Sequence, residues 1–267
     1  AKHAKGVQDV DQVRYQVDGP IARVTIDRPE RRNAMSFTVM RELREAVAEA
    51  KSDDAARVVV FTGAGDKAFC AGADLEGIGD NEHAVDVHDS RTHLADLFRE
   101  MWALGKPTIA RVRGYALAGG MGLALACDLV IAADDAVFGT PETDVGLWPY
   151  MISVPLVRSM PPKKALELML TGRRVAAVEG ERIGFVNSVV PVAELDSTVD
   201  DLAATLAAKS PLVTRWGRDS FYRMLDMSAD DALSYLHAML SVTTHSDDTK
   251  EGLRAFSEKR SPNWSGH

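Results

Sequence analysis

The sequence GYALAGGMGLALACDLVIAADDAVFGTPE occupies residues 114–142 and is the most informative stretch for the fold. Gly119, Gly120 and Gly122 stand where a helix begins, and the apolar run at residues 129–133 predicts a strand directly after it. A helix start of this kind leaves backbone N–H groups unpaired beside the positive end of the helix dipole. The pattern therefore allows two interpretations, a site that stabilises negative charge or close packing of helix on strand through small residues.

The segments around this stretch predict parallel strands joined by helices. The runs IARVTID at residues 21–27 and RVVVFT at residues 57–62 indicate strands, and Ser36 between them is placed to cap a helix. TIARV at residues 108–112 indicates another strand of the same kind. From about Lys163 onward the periodicity becomes helical. The chain is therefore predicted to be an α/β protein with a helical C-terminal region.

Composition narrows the classes of partner. The chain has 267 residues, of which 46% are hydrophobic, and a net charge of −8 without a basic run interleaved with aromatic residues. Nucleic acid and membrane partners are therefore not expected, and a small molecule is. The most apolar stretch, residues 115–133, contains glycines and Asp128, which disfavour a membrane span. Cys70 and Cys127 are predicted to be reduced interior thiols, and with no apolar leader visible a cytoplasmic location is expected.

Two other motifs are weak. GAGDKA at residues 63–68 follows a strand, but no helical period follows it and no acidic residue ends a strand about twenty residues later, as a dinucleotide site requires. His83, His88 and His93 are five residues apart, a spacing that turns successive side chains on a helix by about 140°. They cannot converge on a metal from one helix, so the segment is interpreted as a solvated lid or loop.

The ordered motifs of the chain resemble the enoyl-CoA hydratase/isomerase (crotonase) superfamily. They are FCAGADL at residues 69–75, the stretch at 114–142, and LTGRRVAAVEGERIGFVNSVVP at residues 170–191. The resemblance implies a crotonase-like spiral of β-β-α turns with a C-terminal helical trimerisation region. It also implies an acyl-CoA-binding catalytic core at residues 7–205, a helical region at residues 206–267, and a homotrimer or hexamer.

The resemblance also implies the site residues. The family stabilises a thioester enolate with two backbone N–H groups, which here fall on Ala71 and Gly119, and its second acid falls on Glu142. The first acid of the two-glutamate hydratases falls on Gly122, which cannot transfer a proton. Asp144 is either a second pocket acid or a helix-capping group.

The remaining predicted contacts concern the substrate, an acyl-CoA thioester, and no cofactor is expected beyond its CoA moiety. Trp148 and Tyr150 are expected to shape the acyl pocket, and a decarboxylase of the superfamily uses a tyrosine in a similar context. The other predicted substrate contacts, of which the last two would reach a neighbouring subunit's ligand, are Arg28, Lys67, Ala73, Asp74, Phe256 and Lys259.

Four functions remain open. Residue count favours 3,2-isomerisation of an enoyl-CoA with Glu142 as acid and base, because one carboxylate suffices to remove and return a proton. Hydration of a 2-enoyl-CoA in fatty-acid oxidation by Glu142 alone is the main alternative. Decarboxylation through Tyr150 and a catalytically weak acyl-CoA-binding subunit are the other two.

Overall fold

The computed structural model describes residues 11–74 and 84–267, with the backbone alone for residues 84–91. The strands are β1 (Val13–Asp18), β2 (Ile21–Ile26), β3 (Val58–Gly63), β4 (Ala68–Cys70), β5 (Thr108–Val112), β6 (Tyr115–Leu117), β7 (Leu129–Ala133), β8 (Val137–Gly139), β9 (Arg174–Ala176) and β10 (Ser188–Val190). The helices are α1 (Phe37–Ser52), α2 (Ala84–Trp102), α3 (Gly119–Ala126), α4 (Ser153–Ser159), α5 (Pro162–Thr171), α6 (Ala177–Ile183), α7 (Leu195–Ala207), α8 (Pro211–Met224), α9 (Ala229–Thr243) and α10 (Asp247–Glu258).

The strands divide between two sheets that the chain visits in turn. The larger sheet has the order β1-β2-β3-β5-β7-β10, and the smaller has the order β4-β6-β8-β9. Consecutive strands such as β3 and β4, or β5 and β6, enter different sheets before a helix returns the chain to the first one. This alternation is a spiral of β-β-α turns, as the resemblance implied. Within the smaller sheet β4, β6 and β8 are parallel, so their carboxyl ends meet at one edge.

Local sequence explains α1. The Ser36 hydroxyl accepts a hydrogen bond from Val39 N at 3.2 Å, which caps the helix as predicted. Leu43, Val47 and Ala50 share its buried face and pack in the main core.

An ion pair between a buried arginine and a half-buried aspartate joins α8 to the core. Arg218 of α8 donates to Asp128 Oδ2 at 2.7 Å and to the carbonyls of Met101 and Trp102 at the end of α2. Asp128 also accepts hydrogen bonds from Thr108 N and the Tyr222 hydroxyl. The predicted boundary at residue 206 falls inside the last turn of α7.

The predicted α/β class with a helical C-terminal region is confirmed. The interpretation of residues 83–93 as a lid or loop is wrong, since α2 begins at Ala84. His93 lies on α2, where its Nδ1 accepts a hydrogen bond from Arg44 at 2.8 Å. Cys70 and Cys127 are free and buried, as predicted.

Several predicted features lie outside the described residues, namely residues 7–10, Leu75 of FCAGADL, His83, and the side chain of His88. In the part of the chain that is described, no helix is long and apolar enough to cross a membrane. The same residues contain no group of three His, Cys, Asp or Glu side chains that could hold a metal ion.

Candidate active site

The predicted site residues gather at the carboxyl edge of the smaller sheet. β4, β6 and β8 are neighbours there, with Cys70 paired to Ala116 and Leu117 paired to Gly139. The chain segments that leave these strands carry the AGAD turn, the start of α3 and Glu142, respectively. Parallel topology therefore brings together three segments that are far apart in sequence.

Glycine allows two of these segments to touch. Gly72 has φ +102°, and a Cβ there would lie 2.8 Å from the Cβ of Ala118. A Cβ at Gly120 would lie 2.1 Å from the carbonyl oxygen of Cys70. Side chains at these two glycines would push the AGAD turn away from the start of α3. The backbone N–H groups that follow Gly72 and Ala118 therefore belong to segments in direct contact.

The structure corrects the predicted donor in the AGAD turn. Ala71 N donates to the carbonyl oxygen of Arg32 at 3.1 Å, so the Ala71 N–H is already engaged and its assignment is wrong. Two residues later, Ala73 forms a parallel bridge with Met35, whose hydrogen bonds run to Gly72 O and from Asp74 N. That pattern turns the N–H of Ala73 away from Met35. The N–H of Ala73 donates to no group in the described parts of the chain.

The second predicted donor is at the start of α3. Gly119 is buried and is the first residue of the helix, so its N–H has no partner one turn earlier. No other described residue accepts from this N–H. Ala118 before it has φ 50° and ψ −126°, a conformation that residues with a side chain rarely adopt. Its own N–H donates to the carbonyl oxygen of Gly139 at 2.8 Å, which joins α3 to the strand before Glu142.

Glu142 has the features of an acid–base residue. It lies in a 3-10 helix at Pro141–Val145 directly after β8, and its side chain is partly buried. Its Oε2 is enclosed by protein and, among the described residues, has no hydrogen-bond partner. Burial raises the pKa of the carboxyl group above its ordinary value of 4.5. A buried carboxylate oxygen without a partner is costly for stability, which points to a functional reason for it.

Two predicted substrate contacts have a different role. Arg28 Nη2 lies 3.0 Å from Asp74 Oδ2, and Arg28 Nη1 donates to the carbonyl oxygen of Ala34 at 2.7 Å. Arg31 also contacts Asp74, at 3.2 Å. The guanidinium of Arg28 and the carboxylate of Asp74 are thus directed at each other and not at a ligand. Both side chains hold the AGAD turn in place.

The remaining predicted residues are divided. Lys67 is exposed and lines a cavity of about 290 Å³ together with Pro29 and Ala64, so a contact to CoA phosphates stays a prediction. Trp148 packs against the core, whereas Tyr150 is 76% exposed, and their part in an acyl pocket stays a prediction. Phe256, 86% exposed, and Lys259 are on the surface at the end of α10.

Asp144 is exposed and lies near the end of α5. A Cβ at Gly172 would be 3.1 Å from its Oδ1, which places the carboxylate against the end of α5. A cavity of about 710 Å³ lies between the end of α1 and α8, and none of the predicted site residues line it. Size therefore does not identify the site, whereas the chemistry at the carboxyl edge does.

Comparison with known proteins agrees with this architecture. The family model for enoyl-CoA hydratase/isomerase matches residues 16–267. Carnitinyl-CoA dehydratase from Salmonella arizonae is 37% identical over 262 residues, covering 96% of this chain and 99% of the relative. The crystal structure of an enoyl-CoA hydratase from Mycobacterium smegmatis superposes with a TM-score of 0.91 at 31% identity, covering 95% of this chain and 98% of that one. The crystal structure of an enoyl-CoA hydratase from Bacillus anthracis superposes with a TM-score of 0.91 at 31% identity, covering 96% of this chain and 100% of that one. The chain therefore belongs to the enoyl-CoA hydratase/isomerase family and is an acyl-CoA enzyme.

Proposed function

We propose that this enzyme binds an enoyl-CoA with its thioester oxygen between the N–H groups of Ala73 and Gly119 and converts a 3-enoyl to a 2-enoyl thioester. The observation that carries the proposal is the buried Oε2 of Glu142, which lies at the same sheet edge as the N–H groups of Ala73 and Gly119; none of the three has a hydrogen-bond partner among the described residues. A raised pKa makes the carboxylate a stronger base toward the proton of C2, and the acid formed is still far stronger than the carbon acid to which it returns the proton.

The proposed reaction needs one base and no other reactant. The Glu142 carboxylate removes a proton from C2 of the 3-enoyl thioester, and the electron pair of that bond delocalises onto the thioester oxygen. The two N–H groups stabilise the resulting negative charge. The electrons then return, the double bond forms between C2 and C3, and the carboxylic acid of Glu142 delivers its proton to C4. No cofactor beyond the CoA moiety is part of the proposal.

Hydration of a 2-enoyl-CoA is the second candidate. The names of the Salmonella and Mycobacterium relatives, a dehydratase and a hydratase, favour it. It requires water to be activated as well as a proton to be delivered, and Gly122 offers no side chain for the additional task. Decarboxylation through Tyr150 has less support, because the phenol is mostly exposed. A subunit that only binds acyl-CoA would show no turnover on any enoyl-CoA.

Replacing Ala73 by Pro tests the proposed oxyanion contact. Proline lacks the N–H, and removal of one such donor is expected to lower kcat by about 10²- to 10³-fold. Ala73→Gly is the matched control, because it keeps the N–H and should retain activity close to that of the unaltered enzyme. Isomerisation of a 3-enoyl-CoA would be followed by the absorbance of the conjugated product, with circular dichroism to verify folding. Full activity in a folded Ala73→Pro variant would contradict the contact.

The C-terminal helices are proposed to form a homotrimer, alone or paired into a hexamer. No residue of α9 is buried within the chain, and two of its leucines, Leu233 and Leu240, are 69% and 63% exposed. Burial between copies would remove this apolar surface from water. Within such an assembly, Phe256 and Lys259 would reach the ligand of a neighbouring subunit.

Sedimentation at micromolar protein is expected to give about three or six times the 29.0 kDa mass of one chain. Leu233→Glu combined with Leu240→Glu should shift the protein toward smaller species, because it would bury charge between copies. A stable 29.0 kDa species for the unaltered chain would contradict the trimer.

A further inference from the structure

Carbon atoms of buried side chains occupy the space beside Gly119 and Gly122 in the first turn of α3. A Cβ at Gly122 would lie 2.4 Å from Ile152 Cγ2, 2.8 Å from Ile152 Cβ and 3.2 Å from Phe98 Cζ. A Cβ at Gly119 would lie 2.6 Å from Met35 Cε and 4.0 Å from Leu94 Cδ2. These four side chains are all buried. Among the described residues, the atoms nearest to the Cβ positions of Gly119 and Gly122 therefore include no polar side-chain atom.

The contact between Gly122 and Ile152 leaves no room for adjustment. Ile152 is 3% exposed and immediately precedes α4, where Leu156 N donates to its carbonyl oxygen at 3.1 Å. Rotation about χ1 can move Cγ2, but it cannot move Cβ, which would itself lie only 2.8 Å from the new atom. A side chain at position 122 therefore displaces α4, and a residue at position 152 that lacks Cγ2 removes the closer of the two contacts and reduces this displacement.

We propose that Ile152 determines the reaction type, because it occupies the space that an acid side chain at position 122 would need. The inference rests on the proposed function. With that space filled, Glu142 is the acid–base side chain at this sheet edge. A catalytic water needs two or more polar partners, and the wall formed by Ile152, Phe98, Leu94 and Met35 provides none. Proton transfer between carbon atoms is then favoured over addition of water.

A double substitution tests this role. Gly122→Glu alone is expected to lower the melting temperature by several degrees and to add no hydration of crotonyl-CoA, since the new side chain collides with Ile152. Gly122→Glu with Ile152→Ala should recover part of that loss, because the 2.4 Å contact with Cγ2 is removed and only the 2.8 Å contact with Cβ remains. The hydration rate should rise at least about 10-fold, because a second acid–base group is then present. Gly122→Glu with Ile152→Val is the matched control. Valine keeps the branched Cβ, so this pair should gain nothing.

A second readout separates this inference from the proposed function. Exchange of the α-protons of butyryl-CoA with D₂O, followed by mass spectrometry, requires the oxyanion contacts and Glu142 but no double bond. An unaltered enzyme that neither exchanges these protons nor isomerises a 3-enoyl-CoA contradicts the proposed function itself. If it does both, and Gly122→Glu alone hydrates as well as the double variant without a loss of melting temperature, the role of Ile152 is overturned. A folded double variant without any gain in hydration overturns it too.

The smaller Gly122→Ala change keeps the test decisive if the glutamate variants do not fold. One added Cβ should lower the melting temperature by roughly 2–10 °C in the unaltered background and by clearly less in Ile152→Ala. Equal losses in both backgrounds would overturn the proposed contact.

Discussion

Glu142→Gln is expected to lower the turnover of any enoyl-CoA substrate by about 10²- to 10⁴-fold, because the amide cannot accept and return the proton. Glutamine matches glutamate in size, so the melting temperature should not fall. Circular dichroism compares the melting temperature of the variant with that of the unaltered enzyme. Asp144→Asn, in the same 3-10 helix, is the matched control. Its carboxylate lies against Gly172, so this variant should retain activity.

The pH dependence of kcat/KM provides the second measurement for Glu142. A general base must be ionised, so activity should fall as the pH drops through the pKa of Glu142. Burial raises that pKa, which places the acidic limb of the profile above the ordinary value of 4.5. The limb should be absent from the residual activity of Glu142→Gln. A comparable loss in Asp144→Asn, with Glu142→Gln active, would assign the proton transfer to Asp144 instead.

Arg218→Met is expected to reduce the free energy of unfolding by about 3–5 kcal/mol, the largest effect on stability that we predict. The substitution leaves the half-buried carboxylate of Asp128 without its cation and removes two hydrogen bonds to the end of α2. Loss of one partner from such a pair costs far more than the pair itself contributes, because a desolvated charge remains.

Urea unfolding at a single protein concentration would measure this loss, since assembly makes the midpoint depend on concentration. Arg215→Met, three residues earlier on α8, is the control, because Arg215 is exposed and its replacement should change stability by no more than about 0.5 kcal/mol. Equal midpoints for the two variants would show that the Arg218–Asp128 pair does not anchor α8.

The long elements of the fold could be predicted from the sequence. β3 and β7 are largely apolar, β2 and β5 are rich in β-branched residues, and α1 has both a cap and a periodic buried face. The three-residue strands β4, β6, β8 and β9 could not, because so short a segment has no measurable period. These strands form the smaller sheet, which positions the candidate site, so the geometry of the site could not be predicted from the sequence.

The candidate site shows the same division. Glu142 and Gly119 could be located by motif and by chemistry. The resemblance placed the other donor at Ala71, since the sequence cannot show which amide of the turn is already hydrogen-bonded. Ile152 carries no signal at all, because its importance comes from a contact with a residue 30 positions earlier, Gly122, that has no side chain.

The backbone conformation of Ala118 determines how the N–H of the next residue is oriented. Its φ of 50° and ψ of −126° set the direction of the next N–H, that of Gly119. Such a conformation costs of order 1–3 kcal/mol and persists only when the surroundings enforce it. Here the hydrogen bond to Gly139 and the contact with Gly72 enforce it without any ligand. These contacts form when the chain folds, so in the proposed reaction the Gly119 N–H would need no reorientation to stabilise the developing charge.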